Sequence, residues 1–356
     1  MRNSRSQAQQ ASKARNEGAP KEHTRSLRAL RIGIFTTAIA IVFTFGLLGT
    51  RIVSPTEQMR IRNSLILRVG VPSDFDWKPG NWPASFRVER GPLPASLPKK
   101  ETLLHARNID THSAWQTALE LARHLASGPG LGSSIKSNTV ESYYTILSEN
   151  RGYCADYTQV FNGLAYAAGV AVREWGMTFD GYANDGHAFS EIFDPDRQKW
   201  IFLDTYYSFY IENPESGVPL SVLELRQALR SGELEKRLLV VPIDPIRFGF
   251  KIRENALNYY RRGADQFFLI FGNDVFTFDR NPVVRGLSVV SRTLAQGAAI
   301  VLGIYPKLVI IPSETNSRMI GDLQQRRNVF FKTVILVFIL SVALAVEVIV
   351  YGRIRQ

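Results

Sequence analysis

Two long apolar runs interrupt an otherwise ordinary mixture of apolar and polar positions. The first spans about residues 30–53, and its centre, Ile32–Leu48, carries no charge. The second spans about 328–351, with Lys332 near its start and Glu347 near its end. Each is long enough to cross a hydrocarbon core of ~30 Å as a helix, which takes roughly 20 residues. A signal peptide fits the first run poorly. The run is too long, a polar tail precedes it, and no small-residue cleavage site follows.

Between the two runs the periodicity changes several times. Residues 54–112 are rich in proline and read as an extended connection, with Leu65–Val71 as a short strand. From Ser113 to Leu125 apolar positions recur at spacings of three and four (Trp115, Ala118, Leu119, Ala122, Leu125), which predicts a helix. A Gly- and Ser-rich loop, Ser127–Ser134, follows. Thr139–Leu147 predicts a second helix, closed by Asn150-Arg151-Gly152. Ala155–Ala168 predicts a buried third, with Gly169 as its stop. Alternation then takes over. Val170–Phe179, His187–Phe193 and Trp200–Asp204 read as strands, and Asp194-Pro195-Asp196 turns the last two into an antiparallel hairpin. Pro219–Leu238 returns to helix. Residues 256–311 give no clear period. Within them Leu287–Ile311 reads as a buried or interfacial helix, with a third crossing as the alternative.

The resulting fold class is α+β, with the helices and strands lying between two transmembrane helices. The expected divisions are 1–29, a disordered basic tail; 30–53, a transmembrane helix; 54–112, the connection; 113–255, the main domain; 256–327, a membrane-proximal extension; 328–351, the second transmembrane helix; and 352–356, a short tail.

Charge refines the picture. The net charge is +11, which by itself suggests nucleic acid, yet residues 1–31 hold eight arginines and lysines against two glutamates. Basic residues beside the first apolar run follow the positive-inside rule and place the N-terminus in the cytoplasm. Arg353 and Arg355 do the same for the C-terminus. The lipid bilayer is then the expected partner, and nucleic acid is not; an RNA-binding tail is the rival reading. Two crossings put residues 54–327 outside the cytoplasm. The chain has one cysteine. It forms no internal disulfide, and an exported thiol is a liability unless buried or used.

That cysteine, Cys154, stands where a helix should begin. The first N–H groups of a helix lack partners and carry partial positive charge, which favours a thiolate. Simple packing of a small residue is the competing role. His187 opens a strand on which His187, Phe189, Glu191 and Phe193 share a face. Asp204 ends the next strand. If Phe193 pairs with Trp200, then Phe189 opposes Asp204 and His187 lies diagonal to it, ~7 Å away and within side-chain reach. A slip of one residue would separate them. A carboxylate that orients an imidazole, beside a thiol, is a set suited to acyl transfer.

These segments resemble the transglutaminase-like superfamily. Arg151-Gly152-Tyr153-Cys154 followed by an apolar helix resembles its nucleophile segment, with Gly169-Val170-Ala171-Val172-Arg173 as the ending. His187-Ala188-Phe189-Ser190-Glu191 resembles its His-Ala-Trp-x-Glu strand, and Trp200-Ile201-Phe202-Leu203-Asp204-Thr205 its aspartate segment. Phenylalanine replaces the usual tryptophan, Ala171 a usual proline, and no proline follows Asp204. The resemblance covers about residues 113–210.

The resemblance implies a papain-like core and catalytic Cys154, His187 and Asp204. It also implies a thioester acyl-enzyme resolved by water or an amine. The implied activity is that of a membrane-anchored thiol hydrolase or acyltransferase, a cysteine protease or amidase. It would act on peptide or glutamine-like amide bonds in the bacterial cell envelope, from the inner membrane into the periplasm. Hydrolysis is favoured over cross-linking. Peptide or protein substrates and envelope-assembly proteins are the implied partners. The alternative is a non-catalytic scaffold or binding protein in envelope polysaccharide assembly or export.

The Cys154 N–H is the natural first oxyanion donor. Tyr143 or Tyr144 is a candidate second donor, with packing as the other role. Tyr206, Tyr207, Phe209 and Tyr210 line either a substrate groove or a packed edge. His105, His112 and His124 are spaced too irregularly for a metal site, and Gly128–Gly132 lacks the lysine of a phosphate loop. No cofactor or metal is expected.

Overall fold

The computed structural model describes residues 3–52, 54–98, 102, 113–126, 133, 135, 137–149, 151–183, 185–232 and 237–356, without the side chains of 3–23, 48, 50–52, 292 and 293. The chain divides into two compact units, one of Met1–Gln58 with Gln325–Gln356 and one of Met59–Gln324.

The first unit is dominated by helix α1 (Asn3–Ile52) and the end of a long C-terminal helix. Residues 3–29, expected to lack regular structure, belong to α1; their Gln, Ala, Lys, Arg and Glu residues are strong helix formers. Thr24–Leu47 and Ser317–Arg355 are each long and apolar enough to cross a membrane. The first of these overlaps the expected 30–53 and begins six residues before it. The two helices run antiparallel. Arg31 Nε donates to the Tyr351 hydroxyl at 2.8 Å, and Thr37 Oγ1 to a Glu347 carboxylate oxygen at 3.3 Å. Gly33 permits this approach, since a Cβ there would stand 3.0 Å from Glu347 Oε1.

Helix α2 (Pro55–Ile66) spans the start of the second unit, and strand β1 (Leu67–Val69) follows it. This corrects the extended reading of the proline-rich connection. Pro55 sits at the first helical position, where a missing N–H costs nothing, and Ser54 Oγ accepts from the Glu57 N–H at 3.1 Å. Phe75, Trp77 and Phe86, also in that stretch, are buried in the main core.

Three helices follow, α3 (Ala114–Ala126), α4 (Thr139–Glu149) and α5 (Cys154–Ala167), all at the positions their periodicity predicts. Most of the loop between α3 and α4, with the Gly128–Gly132 segment, lies outside the described residues, as do His105 and His112. Next come β2 (Val172–Thr178), β3 (Gly186–Asp194) and β4 (Lys199–Leu203), paired antiparallel in sequence. In the β3–β4 hairpin Phe193 pairs with Trp200 and Ser190 with Leu203, the register the turn implies.

A small sheet of β5 (Phe209–Asn213), β6 (Val218–Pro219) and β7 (Leu239–Pro242) adjoins α6 (Val222–Ser231). The expected 219–238 helix is therefore shorter. Ser221 and Glu224 form a reciprocal cap at its start, and Gly232, at φ +69°, ends it. The unassigned stretch then resolves into α7 (Arg253–Gly263), β8 (Phe267–Ile270), α8 (Val275–Arg280), α9 (Pro282–Ser288), α10 (Arg292–Val301) and β9 (Leu308–Ile310). So Leu287–Ile311 is not one helix. It is the end of α9, the ten-residue α10 and a strand, too short for a crossing. The chain ends in α11 (Ser317–Arg355).

The main sheet has the order β1-β9-β8-β2-β3-β4, antiparallel except for the β1–β9 pair. One face carries Val172, Ile192, Ile201 and Leu203 against α5 and α3. The other carries Trp175, Met177, Phe189 and Phe202 against α6 and α7. The alternation of the strands therefore serves two apolar layers, and both layers frame the end of the sheet where β3 begins.

Candidate active site

Cys154 is the first residue of α5, and two local devices put it there. Gly152 has φ +139°, and a Cβ on it would meet the Tyr157 ring at 2.9 Å, so the chain can enter the helix only through glycine. Asp156 reaches back to accept from the Tyr153 N–H at 2.8 Å and from the Ile135 N–H at 3.2 Å. The Cys154 N–H is thereby left at the open end of the helix. At the far end Gly169, at φ +75°, turns the chain into β2, as expected.

His187 is held by β3. Gly186 before it is pressed against β2, where a Cβ would lie 2.3 Å from the Met177 carbonyl oxygen. The His187 Nε2 lies 2.8 Å from Asp204 Oδ2, and its side chain also hydrogen-bonds Cys154. The ring therefore stands between sulfur and carboxylate, with Nε2 toward Asp204 and the other nitrogen toward Cys154. The Ala188 backbone adds a hydrogen bond to the sulfur.

Asp204 is fully buried and all its acceptor capacity is used. Oδ1 accepts from the Tyr206 and Tyr207 N–H groups at 3.0 and 2.9 Å, which folds the chain back into β5. Oδ2 accepts from His187 and from the Tyr260 hydroxyl at 2.7 Å. Tyr260 is on α7, in a stretch whose pattern predicted nothing. No sequence signal marked it.

The electrostatics follow from this geometry. Burial alone would raise the Cys154 pKa, but the His187 charge, its hydrogen bond and the Ala188 backbone hydrogen bond reverse that, and the thiol is held below its usual 9.0. Burial alone would lower the His187 pKa. The Asp204 carboxylate and the Cys154 sulfur, by charge and hydrogen bonding, push it up to about 10. Each partner therefore favours the charged form of the other, thiolate beside imidazolium.

An aromatic wall surrounds the imidazole. Tyr207 stacks on it at 4.8 Å between ring centroids, with Tyr259 at 5.6 Å and Tyr206 at 5.9 Å. The Tyr259 hydroxyl hydrogen-bonds Tyr207. Burial, then Tyr207 and Cys154, push the Tyr206 phenol up to about 12, so it stays a neutral donor. Of the aromatic cluster after Asp204, then, Tyr206 and Tyr207 face the site, whereas Phe209 is in the core and Tyr210 packs on Trp115. Tyr143 and Tyr144 are engaged elsewhere. Tyr143 pairs with His124 at 2.9 Å, and Tyr144 donates to the Ser96 carbonyl at 2.5 Å. Among the described residues no group of three potential metal ligands occurs.

Residues 106–205 match the model of the transglutaminase-like superfamily. The match contains Cys154, His187 and Asp204 and covers under a third of the 356 residues. Neither a search of curated proteins nor one of solved structures found a match.

Proposed function

We propose that this chain is a membrane-anchored thiol enzyme that cleaves or transfers the acyl group of amide bonds in peptides, with Cys154 as nucleophile, His187 as acid and base, and Asp204 as the group that orients it. One observation carries the reading. A half-buried thiol at a helix N-terminus shares one imidazole with a fully buried carboxylate.

In this reading the Cys154 thiolate attacks the amide carbonyl carbon. Negative charge moves onto the carbonyl oxygen, toward the Cys154 N–H and the positive end of α5. His187 passes its proton to the leaving nitrogen as the C–N bond breaks, leaving a thioester and a neutral imidazole. Water, or an amine, then gives a proton to His187 while its oxygen or nitrogen attacks the thioester. Collapse releases the acyl product and restores thiolate and imidazolium. Asp204 keeps the ring in place through both steps, and Tyr260 holds Asp204. The antiparallel contacts of α1 with α11, and the basic residues at both chain ends, support anchoring in the bacterial inner membrane. Both termini would be cytoplasmic and the domain periplasmic.

The test is substrate profiling of the full-length protein in detergent against a peptide library, with Cys154→Ala as control. A substrate-derived thioester on Cys154, seen by intact mass and absent from the control, supports the reading. No adduct, together with slow alkylation indifferent to His187→Ala, returns the protein to the scaffold class.

A further inference from the structure

Between Asp279 and Glu314 the chain has no carboxylate, yet it holds Arg280, Arg285, Arg292 and Lys307. The same stretch contains the α9–α10 hairpin. Its inner side is accounted for, since Val284, Ala295 and Ala299 are buried with Phe278, Leu287, Ile304 and Tyr305 packed on them. Its outer side is apolar as well and faces solvent. Val289 is 86% exposed, Val290 77%, Leu294 56% and Val301 87%. Leu294 and Val301 are seven residues apart and so share one helical face, with Gly297 and Ala298 between them. Val289 and Val290 form the turn that leads into it. Single exposed aliphatic residues are normal on any protein, but a contiguous set at these exposures marks a surface that meets something apolar.

The rest of the chain indicates what that is. The hairpin's segment is followed by α11, one continuous helix from Ser317 into the apolar run that starts near Val329. Those twelve residues amount to ~18 Å of helix at 1.5 Å per residue. Residues 302–316 join the hairpin to that helix, so the hairpin is close in sequence to the apolar run. An apolar face with only cationic residues along its segment suits acyl chains beneath anionic headgroups.

We propose that the α9–α10 hairpin is an interfacial membrane contact, separate from the two crossings, which buries the Val289-Val290 turn and the Leu294–Val301 face in the headgroup–acyl boundary. The occupant is lipid, not a second copy of the chain. The contact does not depend on the proposed chemistry, and it survives if Cys154 proves inert.

Full-length Cys154→Ser protein tests it, carrying one introduced cysteine at a time: Val290→Cys, Leu294→Cys or, as an aqueous reference, Ser216→Cys. Each is labelled with bimane and reconstituted at about one protein per vesicle in phosphatidylcholine–phosphatidylglycerol liposomes that contain brominated lipid. The expected result is strong quenching at 290 and 294 and none at 216. Circular dichroism of each variant, unchanged from the parent, keeps the comparison valid. Emission at 290 and 294 as unquenched as at 216 overturns the proposal. So does shielding from an aqueous quencher that appears only as protein density in the vesicle rises, because that pattern belongs to self-association.

Discussion

At the scale of single residues, the site turns on how one carboxylate is held. Asp204 accepts four hydrogen bonds, two from backbone and two from side chains, so removing one leaves a buried acceptor short. Tyr260→Phe removes the phenol donor without changing the ring's packing. The penalty for such a vacancy is about 1–3 kcal/mol, which corresponds to roughly 5- to 160-fold in rate if it falls on the transition state. We expect kcat to fall by that factor with KM little changed and the circular dichroism spectrum intact. A rise in KM with unchanged kcat would assign Tyr260 to the substrate groove instead. The protonation states make a second prediction. Because the Cys154 pKa is lowered, its alkylation by iodoacetamide persists as pH falls below 9.0 and drops only near the depressed value. In His187→Ala the curve moves up toward that of an ordinary thiol. Because His187 is raised to about 10, peptide cleavage declines on the alkaline side as the imidazolium loses its proton through that pH. The two limbs of the bell belong to the coupled pair rather than to either residue alone.

At the scale of elements, the sequence was most legible where one period ran long enough to be unmistakable. The helix Cys154–Ala167 announced itself as a long helical stretch with glycines on either side, and the hairpin register followed from the Asp194–Lys199 turn. That register sufficed to predict that His187 and Asp204 would meet. Leu67–Val69 falls within the expected strand Leu65–Val71, but Phe267–Ile270 and Leu308–Ile310 were not legible, because three or four residues cannot display an alternation. Tyr260 was missed because it lies in 256–311, which showed no clear period, and it meets the site only through tertiary packing. Nor did the pattern reveal what fixes the sheet to α6. Arg173 and Glu191 sit opposite each other on β2 and β3 and pair at 2.7 Å, nearly without exposure. Glu191 also accepts from the Trp175 indole at 2.6 Å and the Val222 N–H at 2.8 Å, and the guanidinium lies over the Trp200 ring at 4.2 Å. Glu191→Gln keeps the shape but leaves Arg173 without its counter-charge. Breaking a buried pair in this way costs about 3–5 kcal/mol. Urea unfolding of the full chain in detergent should show a lower midpoint with an unchanged slope; an unchanged midpoint would mean that water or Asp76 replaces the lost charge.

At the scale of the whole molecule, the lone thiol doubles as a reporter of sidedness. Arg31 beside Tyr351 and Thr37 beside Glu347 set the two apolar helices antiparallel, so that the chain enters and leaves on one side of a bilayer. In the proposed topology the eight basic residues of the first 31 keep that side in the cytoplasm. That topology predicts Cys154 on the opposite side of the membrane from both termini. A membrane-impermeant maleimide added to intact spheroplasts is expected to label Cys154 in the native sequence. In a Cys154→Ala background the same reagent should ignore Ser6→Cys and Gln356→Cys until the membrane is opened with detergent. Because the native sequence carries a single cysteine, each measurement reads one site. Labelling at residue 6 with protection at 154 would invert the topology and bring the site into a reducing compartment, where a thiol needs no protection. Labelling at 6 but not at 356 would break the antiparallel pairing itself. Only the predicted pattern keeps the sulfur, its imidazole and an envelope substrate in the same compartment.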